Sequence, residues 1–540
     1  MSTESTASQP MIDYSQCVAE HALPIPEWFN FGGDVVDAYA ADPDKVALLW
    51  CNECGDERRL TFADIKRASN RIANYLTECG VKRGERVVVM LPRIPEWQIA
   101  LTACFKVGAV PIPCITMLSE RDVNYRMRHS AAVAVITRQA DIHKFADSDH
   151  LQARLCVGGS APGWQDWLAC EQYGDNFAPL RVGAEDPAIM YYTSGSTGNP
   201  KGVLHAARAL YVWRTSARYW LTLTPDDVMW CTADTGWSKA GTSILFGPWS
   251  QGAAVLFYDG PFDPQRRFEL LARYRVNVFC AAATELRQLL TQDVTPYDLA
   301  ALRLTVSAGE SVNPEIVAAW QALTGTPVLD GYGQTETLMT VMNYPGMPVK
   351  PGSMGRALPG VTVAVLDEDE RIHTRSARGR LVIRAPNPQL LLEYWQDTLL
   401  TAEQYVGIDG QRWFVTGDTV EIDADGYVFY FGRDDDVINS SGYRIGPQEV
   451  ENALIEHPAV RESAVVGLPD EARGQIVAAF VILHEGYVAK PGLVEALQAH
   501  VKDLTAPYKY PRRIEFVTGL PKTVSGKIQR NLLRAGTWRA

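Results

Sequence analysis

The sequence predicts an α/β protein. A large N-terminal body of stacked, mostly parallel α/β subdomains is followed by a small β-barrel-like subdomain and an α+β C-terminal unit. Three observations predict it. Up to Gly352, helical patterns alternate with short continuous apolar runs, as in parallel strands covered on both faces. After Gly352 short β runs alternate with Gly, Pro and acidic turns. From Gly446 onward helices and strands mix again in a compact segment.

Thr61–Gly80 reads as a helix. Thr61 caps it, Asp64 sits where a capping box needs an acid, Ile65, Ala68, Ile72 and Leu76 form the apolar stripe, and Gly80 stops it. Arg86–Leu91 is a buried strand closed by Pro92, Glu96–Val107 a helix, Gly108–Cys114 a turn and strand, and Ala131–Thr137 a strand. The alternation returns with strands at Ala188–Tyr192, Gly252–Tyr258, Val276–Ala281 and Leu302–Ala308, and a helix at Pro314–Leu323. The β-rich part holds Val361–Leu366, Gly379–Arg384 and Tyr427–Phe431. The last part holds a helix at Gly446–Glu456, strands at Val460–Gly467 and Ile476–Leu483, a helix at Pro491–His500 and a strand at Arg513–Phe516. Arg433–Asp436 is too charged for a core and marks a boundary. The expected division is therefore 1–434, with 352–433 as the β-rich subdomain, and 435–540.

Composition narrows the function. Of 540 residues, 46% are hydrophobic and 21% charged, which excludes wholesale disorder. A net charge of -12 argues against nucleic acid as the main partner. No run approaches the ~18 apolar residues of a membrane span. Met1–Pro10 has neither the basic start nor the apolar segment of a signal peptide. Ten scattered cysteines suggest no disulfide framework, and a cytoplasmic location is expected. Cys51 and Cys54 form a CxxC without a second pair at zinc spacing, so a hairpin or loop is expected. His205 is expected behind the glycine-rich loop described next, His457 near a helix end, and Trp249 and Trp320 in the core.

The strongest chemical signal is Tyr191–Gly202, YYTSGSTGNPKG, directly after a strand. Its small residues admit an anion close to the backbone, and its hydroxyls and N–H groups suit phosphate oxygens. It is not a Walker A loop, because Pro200 precedes Lys201 and Gly202 follows it. On composition alone a mobile surface loop remains the alternative.

With its companions the loop resembles the signature of the acyl- and aryl-CoA synthetase, luciferase and peptide-synthetase adenylation superfamily. The companions follow in the expected order: Tyr332–Glu336 (YGQTE), Thr416–Asp418 (TGD), Gly432–Gly446 (GRDDDVINSSGYRIG) and Pro521–Arg530 (PKTVSGKIQR). The resemblance runs from about Pro24 to Leu533. It is nearest to acetyl- and medium-chain acyl-CoA synthetases at Ala233–Trp237 (ADTGW), Ala308–Glu310 (AGE) and Tyr508–Phe516 (YKYPRRIEF).

The resemblance implies roles residue by residue. Thr193, Ser194, Gly195, Ser196, Thr197 and Gly198 cradle the ATP phosphates, and Lys201 follows the β- and γ-phosphates. Gly309, Glu310 and Gly331 wall the adenine, Tyr332 stacks on it, and Gly333 and Gln334 continue the nucleotide site. Thr335 donates to phosphate and Glu336 is the Mg²⁺-associated carboxylate. Asp418 takes the ribose hydroxyls, with Arg433 helping. Lys527 bridges the attacking carboxylate and the α-phosphate, where charge neutralisation matters most in the transition state. Trp237 shapes the acyl pocket, and its neighbours Ala240, Gly241, Ile244, Leu245 and Gly247 suit an apolar acid. Asp435 is the hinge of a mobile lid, while Gly442, beside the pantetheine tunnel, and Arg444 face the site after the swing.

The implied reaction has two steps. A carboxylate attacks the α-phosphate of Mg·ATP to give acyl-AMP and pyrophosphate, and CoA then takes the acyl group and releases AMP. The expected acid is medium-chain, branched or aryl. The resemblance also makes Lys527 a target for reversible acylation, with a lysine acyltransferase and deacylase as regulatory partners. The oligomeric state stays open between monomer and dimer. Other readings are an adenylating ligase serving a free-standing carrier protein, a luciferase-like oxygenase and a nonenzymatic nucleotide sensor. CoA-dependent AMP release, light or oxygen uptake, and acid-dependent pyrophosphate release separate them.

Overall fold

The computed structural model describes residues 13–145, 148, 150–193, 199–309, 312–434, 436–440, 443–470, 473–505, 507–522 and 528–539. Two compact units emerge. One comprises residues 1–351, 355–362 and 385–404, the other 352–354, 363–384 and 405–540.

In the first unit, six parallel strands lie side by side in the order Val46–Asn52, Ala254–Asp259, Val228–Cys231, Val278–Cys280, Leu304–Ala308 and Val328–Gln334. Antiparallel strands flank them, Glu57–Thr61 at one side and Leu338–Met342 at the other. A second parallel sheet runs Val110–Pro113, Arg86–Met90, Ala134–Arg138, Ala153–Val157 and Gln165–Asp166. A third, antiparallel sheet joins Pro187–Thr193, Lys201–Ala206 and Glu393–Tyr394.

Local chemistry explains these elements. The Phe62–Glu78 helix opens on the expected capping box, with the Asp64 N–H donating to Thr61 Oγ1 and the Thr61 N–H to Asp64 Oδ2. Cys54 sits exposed in the hairpin turn that the lone CxxC suggested. Pro95–Val107 is buried at every residue, as a helix packed on all sides must be. Its Lys106 is buried with the rest, and its Nζ donates to Asp37 Oδ1 at 2.7 Å and Asn70 Oδ1 at 2.6 Å. Trp249 and Trp320 lie in the core as expected.

In the second unit, Ile372–His373, Val363–Leu366, Ala377–Ala385, Gln411–Ile422 and Val428–Arg433 are neighbours in a sheet, with Tyr405–Ile408 beside Gln411–Ile422. A separate sheet is built on the long hairpin Val460–Asp470 and Gly474–Leu483. Ile438–Ser440, Tyr443–Ile445 and the parallel strand Arg513–Phe516 complete it. Helices Pro447–Ile455 and Pro491–Leu504 bring Val450, Leu454, Leu497 and Val501 into one core with Ile438, Ile445, Val465 and Val477. His457 lies two residues past the first of these helices, where its sequence placed it.

Arg530, which in sequence looks like part of a solvated basic tail, is not one. Its guanidinium grips buried Glu451 through both carboxylate oxygens at 2.7 and 2.8 Å, and lies 3.7 Å from Asp436. Glu451 also accepts the Val465 N–H at 2.7 Å, and Arg534 reaches Asp436 at 2.8 Å. Removing one partner of such a pair strands a buried charge. Arg530→Ala should therefore cost about 3 kcal/mol, read as a lower urea midpoint, and Arg530→Lys should recover part of it.

Candidate active site

Thr193 and Lys201 are register partners in the antiparallel hairpin of strands Pro187–Thr193 and Lys201–Ala206. Ser194, Gly195, Ser196, Thr197 and Gly198 lie outside the described residues. Behind the hairpin, Glu393–Tyr394 adds a third strand, with Tyr394 opposite Val203. Lys201 Nζ stands 5.6 Å from the Tyr394 ring centroid, and the Tyr394 hydroxyl donates to Glu336 Oε1 at 3.0 Å. The loop lysine and the YGQTE carboxylate thus share one buried tyrosine. Tyr394, 193 residues after Lys201, is not among the residues expected at the site; an aromatic in an edge strand carries no signal of its own.

Ala308 and Gly331 are register partners at the C-terminal edge of the parallel sheet, where ligands of such sheets bind. Gly309 follows at φ 95°, with open space on its Cβ side. Gly331, Tyr332, Gly333 and Gln334 end the next strand. A Cβ on Gly331 would press on Met339 and Trp220, so packing behind the strand requires that glycine. Glu310 lies outside the described residues. Thr335 and Glu336 occupy the turn that follows. The Thr335 hydroxyl is 3.2 Å from Ser238 Oγ, its carbonyl accepts His205 Nε2–H at 2.6 Å, and the Glu336 carbonyl accepts the Leu391 N–H at 2.8 Å.

His205 stands in the strand Lys201–Ala206 and is fully buried. Burial pushes its pKa down to about 4, against the hydrogen bond to Thr335 and with some help from Arg208. It is therefore neutral at neutral pH and donates through Nε2.

Trp237 is half-buried, just ahead of the short helix Ser238–Ala240, and packs against a core that includes Ile112, Ile115, Met190 and Leu204. Of the small and aliphatic neighbours, Ile244 and Leu245 are wholly buried. Gly241 is closed in by Phe246, Trp213 and the Tyr191 hydroxyl. The segment Gly241–Leu245 is a π-helical turn, a form frequent beside functional sites.

In the second unit, Asp418 and Arg433 are direct register partners on neighbouring strands. Asp418 is buried and lies 3.5 Å from the Tyr430 hydroxyl, while Arg433 is exposed. Arg444 lies in the strand Tyr443–Ile445, opposite Asn439. Asp435, Gly442 and Lys527 lie outside the described residues. Lys527 is flanked by the antiparallel bridge between Lys522 and Ile528.

A parallel sheet with glycines and a Thr–Glu turn at its C-terminal edge, in the same unit as Lys201, is the arrangement that the resemblance to adenylate-forming enzymes implied. The chain belongs to the AMP-binding enzyme family, whose model matches residues 36–395, while the AMP-binding enzyme C-terminal domain matches 449–527. Acyl-coenzyme A synthetase ACSM3, mitochondrial, of Homo sapiens is 39% identical over 551 residues, covering 98% of this chain and 93% of the relative. The Brucella canis acyl-CoA synthetase structure is similar with TM-score 0.72 and 36% identity, over 97% of each chain. The anthranilate CoA ligase AuaEII in complex with anthranoyl-AMP is similar with TM-score 0.86 and 29% identity, over 95% of this chain and 98% of that one. The protein is an AMP-forming carboxylate–CoA ligase, an acyl-CoA synthetase that uses ATP and CoA on a small-molecule acid.

The cytoplasmic expectation is corrected. The human relative and its rat and mouse counterparts are named mitochondrial, so the cytoplasmic reading does not stand. The expectation rested on unpaired cysteines, and reduced thiols report a reducing environment rather than one particular compartment.

Because His205 binds a proton far less readily when folded than its ordinary 6.5, the unfolded chain holds more protons between pH 6.5 and 4. Stability therefore falls as pH drops through that window, by up to ~3 kcal/mol from this residue. In His205→Gln the thermal midpoint should fall less steeply between pH 6.5 and 4 than in the parent, and equal slopes would show that His205 does not titrate there.

Proposed function

We propose that the acid is a medium-chain, branched or aryl carboxylate and that Lys201, Thr335 and Glu336 handle the phosphates of MgATP. The observation that carries this reading is the Lys201–Tyr394–Glu336 cluster, which brings a cation and a carboxylate together beside the Thr335 turn. Glu336 suits Mg²⁺. One oxygen takes the Tyr394 hydroxyl, and Mg²⁺ prefers one or two protein carboxylates beside phosphate oxygens and waters. Among the described residues no three His, Cys, Asp or Glu side chains converge on a common point, so no protein cage competes with that arrangement. When bound, the ion offsets charge on the departing pyrophosphate.

Thr193 with the Ser194–Gly198 loop takes the phosphates, Gly309, Glu310 and Gly331–Gln334 the adenine, and Asp418 and Arg433 the ribose. Lys527 lowers the barrier to attack on the α-phosphate by bridging two anions. Residues from Asp435 onward then turn about that hinge, bringing Gly442 and Arg444 to the thioester step. Half-buried Trp237 beside small residues supports an apolar or aromatic acid, and the likeness to an anthranilate CoA ligase supports the aryl arm.

The test is CoA-dependent AMP release across acids from acetate through octanoate to benzoate and phenylacetate. An optimum among the longer or aryl acids is expected, and a maximum at acetate would refute the substrate reading. Lys527→Ala should lose adenylation by about a hundredfold or more yet still convert supplied acyl-AMP to acyl-CoA. Equal loss of both steps would remove Lys527 from its role.

A further inference from the structure

Two buried cysteines stand side by side at the edge of the sheet that carries the site, and the ligase mechanism uses neither. Cys231 ends the strand Val228–Cys231 and Cys280 ends Val278–Cys280. The strands are parallel neighbours, and the two cysteines are register partners. Both are buried, 1% and 0% exposed. Adjacent strands lie about 4.8 Å apart, inside the ~4.4–6.8 Å Cα window that a disulfide spans. A bond can therefore form between them without moving either strand far.

The surroundings favour a thiolate. The Cys231 thiol donates to the Cys280 sulfur, which holds Cys280 below its ordinary range against the opposing effect of burial. Lys239 and the Ser243 hydroxyl act in the same direction. Burial, then the hydrogen bond with Cys280, pushes Cys231 up, so one sulfur is primed as nucleophile and the other keeps its proton. Lys239 also donates to the Ala308 carbonyl at 3.1 Å, which ties the pair to the edge where Gly309 begins. The residue after Cys231 starts the segment that leads to Trp237.

We propose that Cys231 and Cys280 form a peroxide-sensitive dithiol, a reversible oxidation site that slows the ligase. The Cys280 thiolate attacks one oxygen of a hydroperoxide, the O–O bond breaks, and hydroxide leaves and is protonated to water. The Cys231 sulfur then attacks the resulting sulfenic sulfur. The S–S bond forms, and the sulfenic oxygen leaves as a second water with the Cys231 proton. Two thiols are oxidised by two electrons and hydrogen peroxide is reduced to two waters. The bond fixes the relative position of the strand ends that precede the Trp237 segment and the Ala283–Leu289 helix, and so restrains the residues that lead to Trp237.

The effect on activity rests on the reading of Trp237 as part of the acid site, whereas the cross-link itself is read by mass. The full-length enzyme is treated with hydrogen peroxide, quenched with a thiol alkylator and mapped by peptide mass. The expected product is a Cys231–Cys280 cross-linked peptide, with AMP release reduced about tenfold or more and restored by dithiothreitol. Cys231→Ser, with Cys231→Ala as a second variant should the first fold poorly, should keep untreated activity and lose both the cross-link and the peroxide sensitivity. Oxidation of exposed Cys54 while Cys231 and Cys280 remain alkylatable would overturn the proposal. So would a cross-link between Cys79 and Cys170, or a Cys231–Cys280 bond that leaves AMP release unchanged.

Discussion

The chain reverses direction between Gly333 and Leu338, and that reversal depends on the missing side chain at Gly333. A Cβ there would overlap the Leu338 carbonyl oxygen. Leu338 itself adopts φ 53°, a left-handed conformation that a leucine holds only when its surroundings impose it. Gln389 helps to impose it, with Nε2 donating to the Met339 carbonyl at 2.5 Å and the Thr337 carbonyl at 3.4 Å. The consequence reaches the site. Thr335 and Glu336 stand at the tip of the reversal, their carbonyls fixed by His205 and Leu391, so their side chains are positioned before any ligand arrives. Tyr394 then needs only its hydroxyl to orient the Glu336 carboxylate and only its ring face to attract Lys201.

Where one segment carries both a period and a cap, the sequence was legible. The Thr61–Asp64 capping box, the buried Pro95–Val107 helix and the strand Leu304–Ala308 all appear within a few residues of their expected bounds. The expectation of a phosphate site at Tyr191–Gly202 drew on the same advantage, since its glycines and hydroxyls are concentrated in consecutive residues. Contacts set by tertiary neighbours were not. The strand Val46–Asn52 pairs with Ala254–Asp259, some two hundred residues on, and nothing local announces it. In the sequence Tyr394 looks like any other aromatic, until the third sheet places it beside Lys201. Arg530 shows the converse: a run of basic residues reads as a solvated tail, and only the fold supplies the buried Glu451 that makes one of them internal.

The interior charges show which parts of the chain are held by burial and which by pairing. Lys106 and Asp37 touch at 2.7 Å, yet burial shifts each toward its neutral form, Lys106 downward and Asp37 upward, and their mutual attraction only partly opposes this. Such a pair adds little net stability; it fixes where the buried Pro95–Val107 helix meets Asn70 and Asp37. At Arg530 the balance is reversed. Burial again disfavours the charge, but Glu451 and then Asp436 outweigh it and hold the guanidinium above its ordinary range. The difference lies in the carboxylates within reach: Arg530 Nη2 meets both oxygens of Glu451 and Nη1 stands 3.7 Å from Asp436, whereas Lys106 meets a single oxygen of Asp37. The helix Arg530–Ala535 is therefore anchored by charge at its first residue, three positions beyond Lys527. Arg530 thus fixes the start of that helix at the point where the fold has buried a carboxylate.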